Sequence, residues 1–162
     1  MSRLDIGLVV TGAELQDVPA IADLLTELDH FYGATVTDPP EQRAAQITAI
    51  LFGDVPAAHV LLARDGGQVV GFASYSFLWP AAGLTHSLYL KEVYVRQACQ
   101  REGVGRALML KVCEVAAKQG CSRVEWTTDV PNRDAQRFYG ALGVPVYEGK
   151  VFYRVEMRSS RA

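Results

Sequence analysis

The sequence predicts an α/β (α+β) fold, a mixed sheet with helices laid on it. Three observations carry this prediction. The apolar pattern switches between strand-like and helix-like periods from one end of the chain to the other. Glycine- and proline-bearing turns punctuate the switches. One of those turns, Gly103-Val104-Gly105, joins a strand to a long amphipathic helix.

Taken in order, Asp5-Ile6-Gly7-Leu8-Val9-Val10 reads as a first strand. A helix starts at Asp17, with Pro19 in its first turn, where a missing N–H is tolerated. Val18, Ile21, Ala22, Leu25 and Leu28 keep helical spacing, and Gly33 ends the run. After the break Thr37-Asp38-Pro39-Pro40, a second helix runs from about Glu41 to Phe52. The period then shortens. His59 to Arg64 and Val69 to Phe77 read as two strands joined by the turn Asp65-Gly66-Gly67-Gln68. A loop at Trp79–Gly83 leads to a strand from Ser87 to Val95. In the long helix that follows, Leu108, Val112, Val115 and Ala116 share a face, and Gly120 closes it. Arg123–Thr128 is a strand and Asn132–Leu142 a helix stopped by Gly143. Short strands near Val144–Tyr147 and Val151–Met157 complete the order β-α-α-β-β-β-α-β-α-β-β.

Length and charge bound the function. At 162 residues the chain is one domain by prior, spanning 1–162 without linker or repeat. Apolar residues make up 49% and net charge is -2, with no long basic run, so nucleic acid is not an expected partner. The N-terminus lacks a basic segment followed by an apolar one, and no apolar run reaches the ~20 residues that span a bilayer. No membrane partner is expected. Cys99, Cys113 and Cys121 are odd in number and form no CxxC pair, which points to reduced thiols, a cytoplasmic location and no metal site.

The turn before the long helix carries chemistry. A helix start leaves N–H groups without intrahelical partners, and its dipole favours anions. Gly103 and Gly105 remove Cβ atoms from the approach, and Arg101 and Arg106 add charge-assisted donors. Glu102 is expected to point away. A Walker loop is excluded because Arg106-Ala107 follows Gly105, and a dinucleotide fingerprint lacks its third glycine. By itself the pattern is equally well explained by a tight turn. A second motif follows in Asn132-Arg133-Asp134-Ala135-Gln136-Arg137-Phe138-Tyr139. Helical spacing places Asn132, Ala135 or Gln136, and Tyr139 on one face, with Phe138 and Leu142 on a neighbouring one.

Together these residues resemble the GNAT acetyltransferase superfamily. Gln100-Arg101-Glu102-Gly103-Val104-Gly105 matches its Gln/Arg-x-x-Gly-x-Gly/Ala element. Asn132, Ala135, Phe138, Tyr139, Leu142 and Gly143 match its later Asn-x-x-Ala-x-x-Phe-Tyr-x-x-Leu-Gly element, and the resemblance covers essentially the whole chain. Within it, Gly71–Phe77, Ser87–Val95 and Asn132–Tyr139 are most similar to the diamine (spermidine/spermine) acetyltransferase group. Lys91, in Tyr89-Leu90-Lys91-Glu92, replaces an acid of the polyamine enzymes, and the loop Leu78–Thr85 carries no acid. A polycation wants carboxylates around it, which argues against polyamine as substrate.

The resemblance implies a mostly antiparallel sheet of six to seven strands flanked by about four helices. It implies acetyl-CoA as cosubstrate, lying where the strand ending at Val95 splays from that near Trp126. Val93, Tyr94, Val95, Gln100 through Arg106, Asn132, Ala135, Phe138 and Tyr139 would bind it. A primary amine of a small molecule attacks directly in a ternary complex. An amine of pKa ~10.4 must lose a proton, and a thiolate of parent pKa ~8.5 gains one. Tyr139 stands at the family position of the donor to the thiolate. Glu92 is the acid nearest the centre; a carboxylate merely paired with Lys91 or Lys150 is an equal alternative, and water relay is a third. Phe31, Tyr32, Tyr75, Phe77, Trp79 and Tyr153 are nominated to line the acceptor cleft, where aromatic faces can hold a cation. The resemblance also implies a homodimer, with Val151–Val155 at an interface or over the site. Two other readings stay open: a protein or peptide acetyltransferase, and a non-catalytic acyl-CoA sensor, against which Tyr139 argues.

Overall fold

The computed structural model describes residues 7–158. They form two compact units, divided after Thr127. The first holds β1 (Leu8–Gly12), α1 (Val18–Phe31), α2 (Pro40–Phe52), β2 (His59–Asp65), β3 (Gln68–Leu78), β4 (Ser87–Val95), α3 (Val104–Lys118) and β5 (Arg123–Glu125). The strands lie in sequence order, antiparallel from β1 to β4, with β5 parallel to β4.

Both faces of this sheet are covered, which explains the unbroken buried run Val60-Leu61-Leu62-Ala63 in β2. On one face, Val60, Leu62 and Phe72 pack with Val18, Ile21, Leu24 and Leu28 of α1 and Ile47 of α2. Alternation turns Leu61, Ala63, Gly71 and Ala73 to the other face. There α3 lies so close that a Cβ on Gly71 would meet Val104 Cγ1 at 3.3 Å and Leu108 Cδ1 at 3.4 Å. The entry to α1 is fixed by buried Asp17, which accepts from the Glu14 N–H at 2.8 Å and pairs with Arg64 at 2.8 Å.

In the second unit, α4 (Arg133–Ala141) is capped by Asn132, whose Oδ1 accepts from the Ala135 N–H at 3.1 Å. Among the described residues the sheet has five strands, not the six to seven expected. The strands expected near 144–147 and 151–157 do not form among the described residues. Alternating apolar residues supply a strand's pattern but not a partner. Pro145 removes one ladder donor. The chain bends at Gly149, where a Cβ would lie 2.6 Å from the Tyr147 ring. The first strand starts later than its pattern suggests, at Leu8, and Asp5 and Ile6 fall outside the described residues. No described helix is long and apolar enough to cross a membrane.

Candidate active site

Two irregularities of β4 build the site. The first is a bulge. Leu88 and Leu90 pair with Phe77 and Tyr75, but Glu92 and Tyr94 pair with Ser74 and Phe72, so Lys91 is left out of the ladder. The extra residue reverses the phase of the strand. Leu88 and Leu90 share the α3 face with Tyr75, whereas Glu92 and Tyr94 share the α1 face with Phe72.

The second is a divergence. β5 pairs with β4 only from Ser87 to Tyr89, and among the described residues no strand flanks β4 on that side beyond Leu90. The phase of the remaining backbone follows from its last bond to β3, in which the Arg96 N–H donates to the Val70 carbonyl at 2.9 Å. Alternation then directs the N–H and C=O groups of Val93 and Val95 away from β3, toward the open edge. Tyr94 is turned the other way: its carbonyl oxygen points at β3, 2.8 Å from where a Cβ on Gly71 would lie. Its ring faces α1, where the hydroxyl donates to Glu27 Oε2 at 3.3 Å. Burial, followed by the charge of Glu27, raises this phenol above its ordinary value, against the lowering influence of Arg96.

The expected anion loop follows directly. Gln100 Nε2 donates to the Val95 carbonyl at 3.1 Å, tying the loop to the open edge. Arg101 (φ 63°) and Gly103 (φ 86°) are both left-handed, which curls the backbone into the start of α3. Left-handed Arg101 is a feature the motif does not announce. Gly103 is the N-cap and carries no side-chain cap, and the first intrahelical bond runs from the Ala107 N–H to the Gly103 carbonyl at 3.0 Å. The N–H groups of Val104, Gly105 and Arg106 therefore face outward, with no acid in the first turn. Arg101, Glu102 and Arg106 are exposed. An open strand edge leading into an uncapped helix start suits an elongated ligand with an amide-bearing arm and a terminal anion. Among the described residues, no group of three or more His, Cys, Asp or Glu side chains is placed to hold a metal ion.

The nominated aromatics are not all together. Tyr75 is 8% exposed, a core residue stacked on His59 at 5.3 Å and edge-on to Phe77 at 5.7 Å. Both rings stand on the α3 face, opposite to Glu92. Phe31 and Tyr32 are exposed at the end of α1, edge to face at 5.3 Å. Trp79 is exposed in the β3–β4 loop, its ring N–H donating to the Leu84 carbonyl at 3.2 Å. In the second unit, Phe138 and Tyr139 make a ring contact at 5.1 Å and Tyr153 is exposed.

Comparison with known proteins identifies the family and the fold. Residues 21–144 match the model of the acetyltransferase (GNAT) family. The aminoglycoside N(6')-acetyltransferase type 1 of Serratia marcescens is 32% identical over 118 residues, 71% of this chain and 80% of that one. A human spermidine/spermine N(1)-acetyltransferase-like protein 1 is 30% identical over 155 residues, 90% of this chain and 22% of that one. Among solved structures, an aminoglycoside N-acetyltransferase in complex with CoA superposes with a TM-score of 0.74 at 20% identity, covering 93% of this chain and 95% of that one.

Proposed function

The chain belongs to the GNAT acetyltransferase family, and from that premise we propose that it moves an acetyl group from acetyl-CoA to a primary amine of a small molecule. The observation that carries the proposal is the open edge of β4 running into the uncapped start of α3. The outward groups of Val93 and Val95 offer the pantetheine arm the pairing that β5 stops short of providing. The N–H groups at 104–106, with Arg101 and Arg106, offer the pyrophosphate its donors.

The reaction is a direct displacement. The amine nitrogen attacks the thioester carbon, an outward N–H of β4 stabilises the developing oxyanion, and the C–S bond breaks as the amide forms. The attacking nitrogen loses a proton to Glu92, directly or through water, and the leaving thiolate gains one from the Tyr139 hydroxyl. One relative is named as an aminoglycoside acetyltransferase and the other as a spermidine/spermine N(1)-acetyltransferase-like protein, which supports a small cationic amine as acceptor. Exposed Lys91 supports one that is not a long polycation. We also propose that both units belong to one catalytic domain, since the family match runs from the first into the second as far as residue 144. In this reading the protein is a cytoplasmic homodimer, with the free thiols Cys99, Cys113 and Cys121 kept reduced.

Steady-state kinetics on a panel of aminoglycosides, diamines and amino acids test the proposal. Tyr139→Phe should lower kcat by roughly 100- to 10,000-fold while leaving CoA affinity in place. Turnover unchanged in that variant would remove Tyr139 as proton donor. Absence of CoA binding in calorimetry would remove the acetyltransferase reading itself.

A further inference from the structure

Beyond the groups that meet substrate, we infer that Glu27 of α1 is a positioning residue that clamps the free half of β4 and so holds the acyl-transfer centre in register.

Among the described residues, β4 from Leu90 onward pairs with β3 only. A strand end paired on one side frays readily, yet this end must present Val93 and Val95 at fixed positions. One carboxylate secures it. Glu27 Oε1 accepts from Arg96 Nη1 at 2.7 Å, and Glu27 Oε2 accepts from the Tyr94 hydroxyl at 3.3 Å. The residues it holds flank Val95 on both sides. Arg96 carries the tie onward, because its Nε donates to the Val69 carbonyl at 2.9 Å and its backbone N–H to Val70. The Tyr94 ring lies 6.4 Å from that of buried Phe72, which anchors the other arm in the α1-side core. Helix α1, β3 and the end of β4 thus meet at a single carboxylate. Both of its hydrogen bonds engage an ion, the stronger class of such bonds. Glu27 and Phe31 are four residues apart on α1 and share a face. The helix that holds the strand therefore also carries an aromatic nominated for the acceptor.

The kinetic consequence rests on the acetyltransferase reading; the mechanical one does not. Amide hydrogen exchange of the full chain reads the clamp directly. In Glu27→Ala, exchange of the Tyr94 and Arg96 amides, which face β3, should rise by about tenfold or more, while α3 amides at 108–116 stay as in wild type. Unchanged exchange at Tyr94 and Arg96 would overturn the inference whatever the activity. In steady state, Glu27→Ala should lower kcat by roughly 10- to 100-fold with CoA affinity held within ~3-fold, and Glu27→Gln, which keeps the acceptor oxygen, by less. A loss that is uniform between pH 6 and 9 is expected of a positioning group. Selective loss of an acidic limb in Glu27→Gln would make Glu27 the base and overturn positioning. A wild type that neither binds CoA nor acetylates any amine would fail the acetyltransferase reading alone, leaving the exchange measurement to decide the clamp.

Discussion

Gly71→Ala should injure the site from beneath, without touching any group that meets substrate. Gly71 lies opposite Ala63 in β2 and Val95 in β4, on the face covered by α3. An added Cβ would lie 2.8 Å from the Tyr94 carbonyl oxygen, closer than real Cβ contacts come, and 3.3 Å from Val104 Cγ1. The oxygen belongs to a strand backbone and cannot rotate aside. Val104 is the first residue of α3 and is 1% exposed. Relief therefore requires the end of β4 to move, or the first turn of α3 to lift, and both carry the proposed donor site. Overpacking costs about 1–3 kcal/mol, and the stiffer unfolded chain returns about 0.4–1 kcal/mol, leaving a net loss of about 1–2 kcal/mol. For a chain of this length that is a fall in Tm of about 2–8 °C. Calorimetric titration with CoA should weaken in parallel, and kcat should fall by more than the stability does, since misplacement of about 1 Å can cost ~100-fold. Gly12→Ala is the control, because a Cβ there meets nothing within 4 Å. If Gly71→Ala melts and binds CoA like Gly12→Ala, then α3 is not seated on β3 through this residue and the reasoning fails.

Two further perturbations address the supports on either side. Burial alone would raise the Asp17 carboxyl, but the Arg64 hydrogen bond, the Glu14 N–H and the Arg64 charge together lower it. A lowered carboxyl contributes stability that is complete above its unfolded value, ~3.9, and lost as pH falls through the folded one. Asp17→Asn should therefore cost about 2–3 kcal/mol at pH 7 and flatten the acid limb of urea midpoints below pH ~4; an unaltered limb would contradict the assignment. Asn132→Ala removes the cap of α4 and should cost about 1 kcal/mol, seen as faster amide exchange at 133–137, whereas Asn132→Asp should keep the cap.

Much of this architecture is written in local pattern. β4 spans the residues its pattern marks, and α3 ends where Gly120, at φ 71°, turns left-handed. The anion loop is legible because glycine and a helix start are local facts. Strand pairing is not local. Arg123–Thr128 has a strand's composition throughout, but only Arg123–Glu125 pairs, and that early end is what opens the edge of β4. The bulge had a trace in the sequence: the aliphatic alternation Leu88, Leu90 changes phase to Val93, Val95 across Lys91-Glu92. A one-residue slip of phase inside a strand indicates an extra residue. Counted that way, it puts Glu92 on the opposite face of the sheet from Tyr75 and Phe77. Asn132 shows a different limit. A helix-capping amide and a ligand-binding amide have the same sequence signature, and the hydrogen bond to the Ala135 N–H records the capping role.

The bulge also explains why donor and acceptor are unequally legible. In the proposed reaction the donor meets backbone groups of β4 and α3, whose directions follow from the ladder and the helix whatever the side chains are. The proposed acceptor meets side chains, and which face they occupy depends on the residue left out of the ladder. Lys91 is that residue, exposed and outside the register with β3. A side chain there carries no cross-strand partner whose packing it must satisfy. Exchanging an acid for a lysine at this position therefore changes the charge beside Glu92 at little cost to the sheet. On the proposed reading, the fold can hold the end that meets the thioester constant while the preferred amine is retuned one residue away.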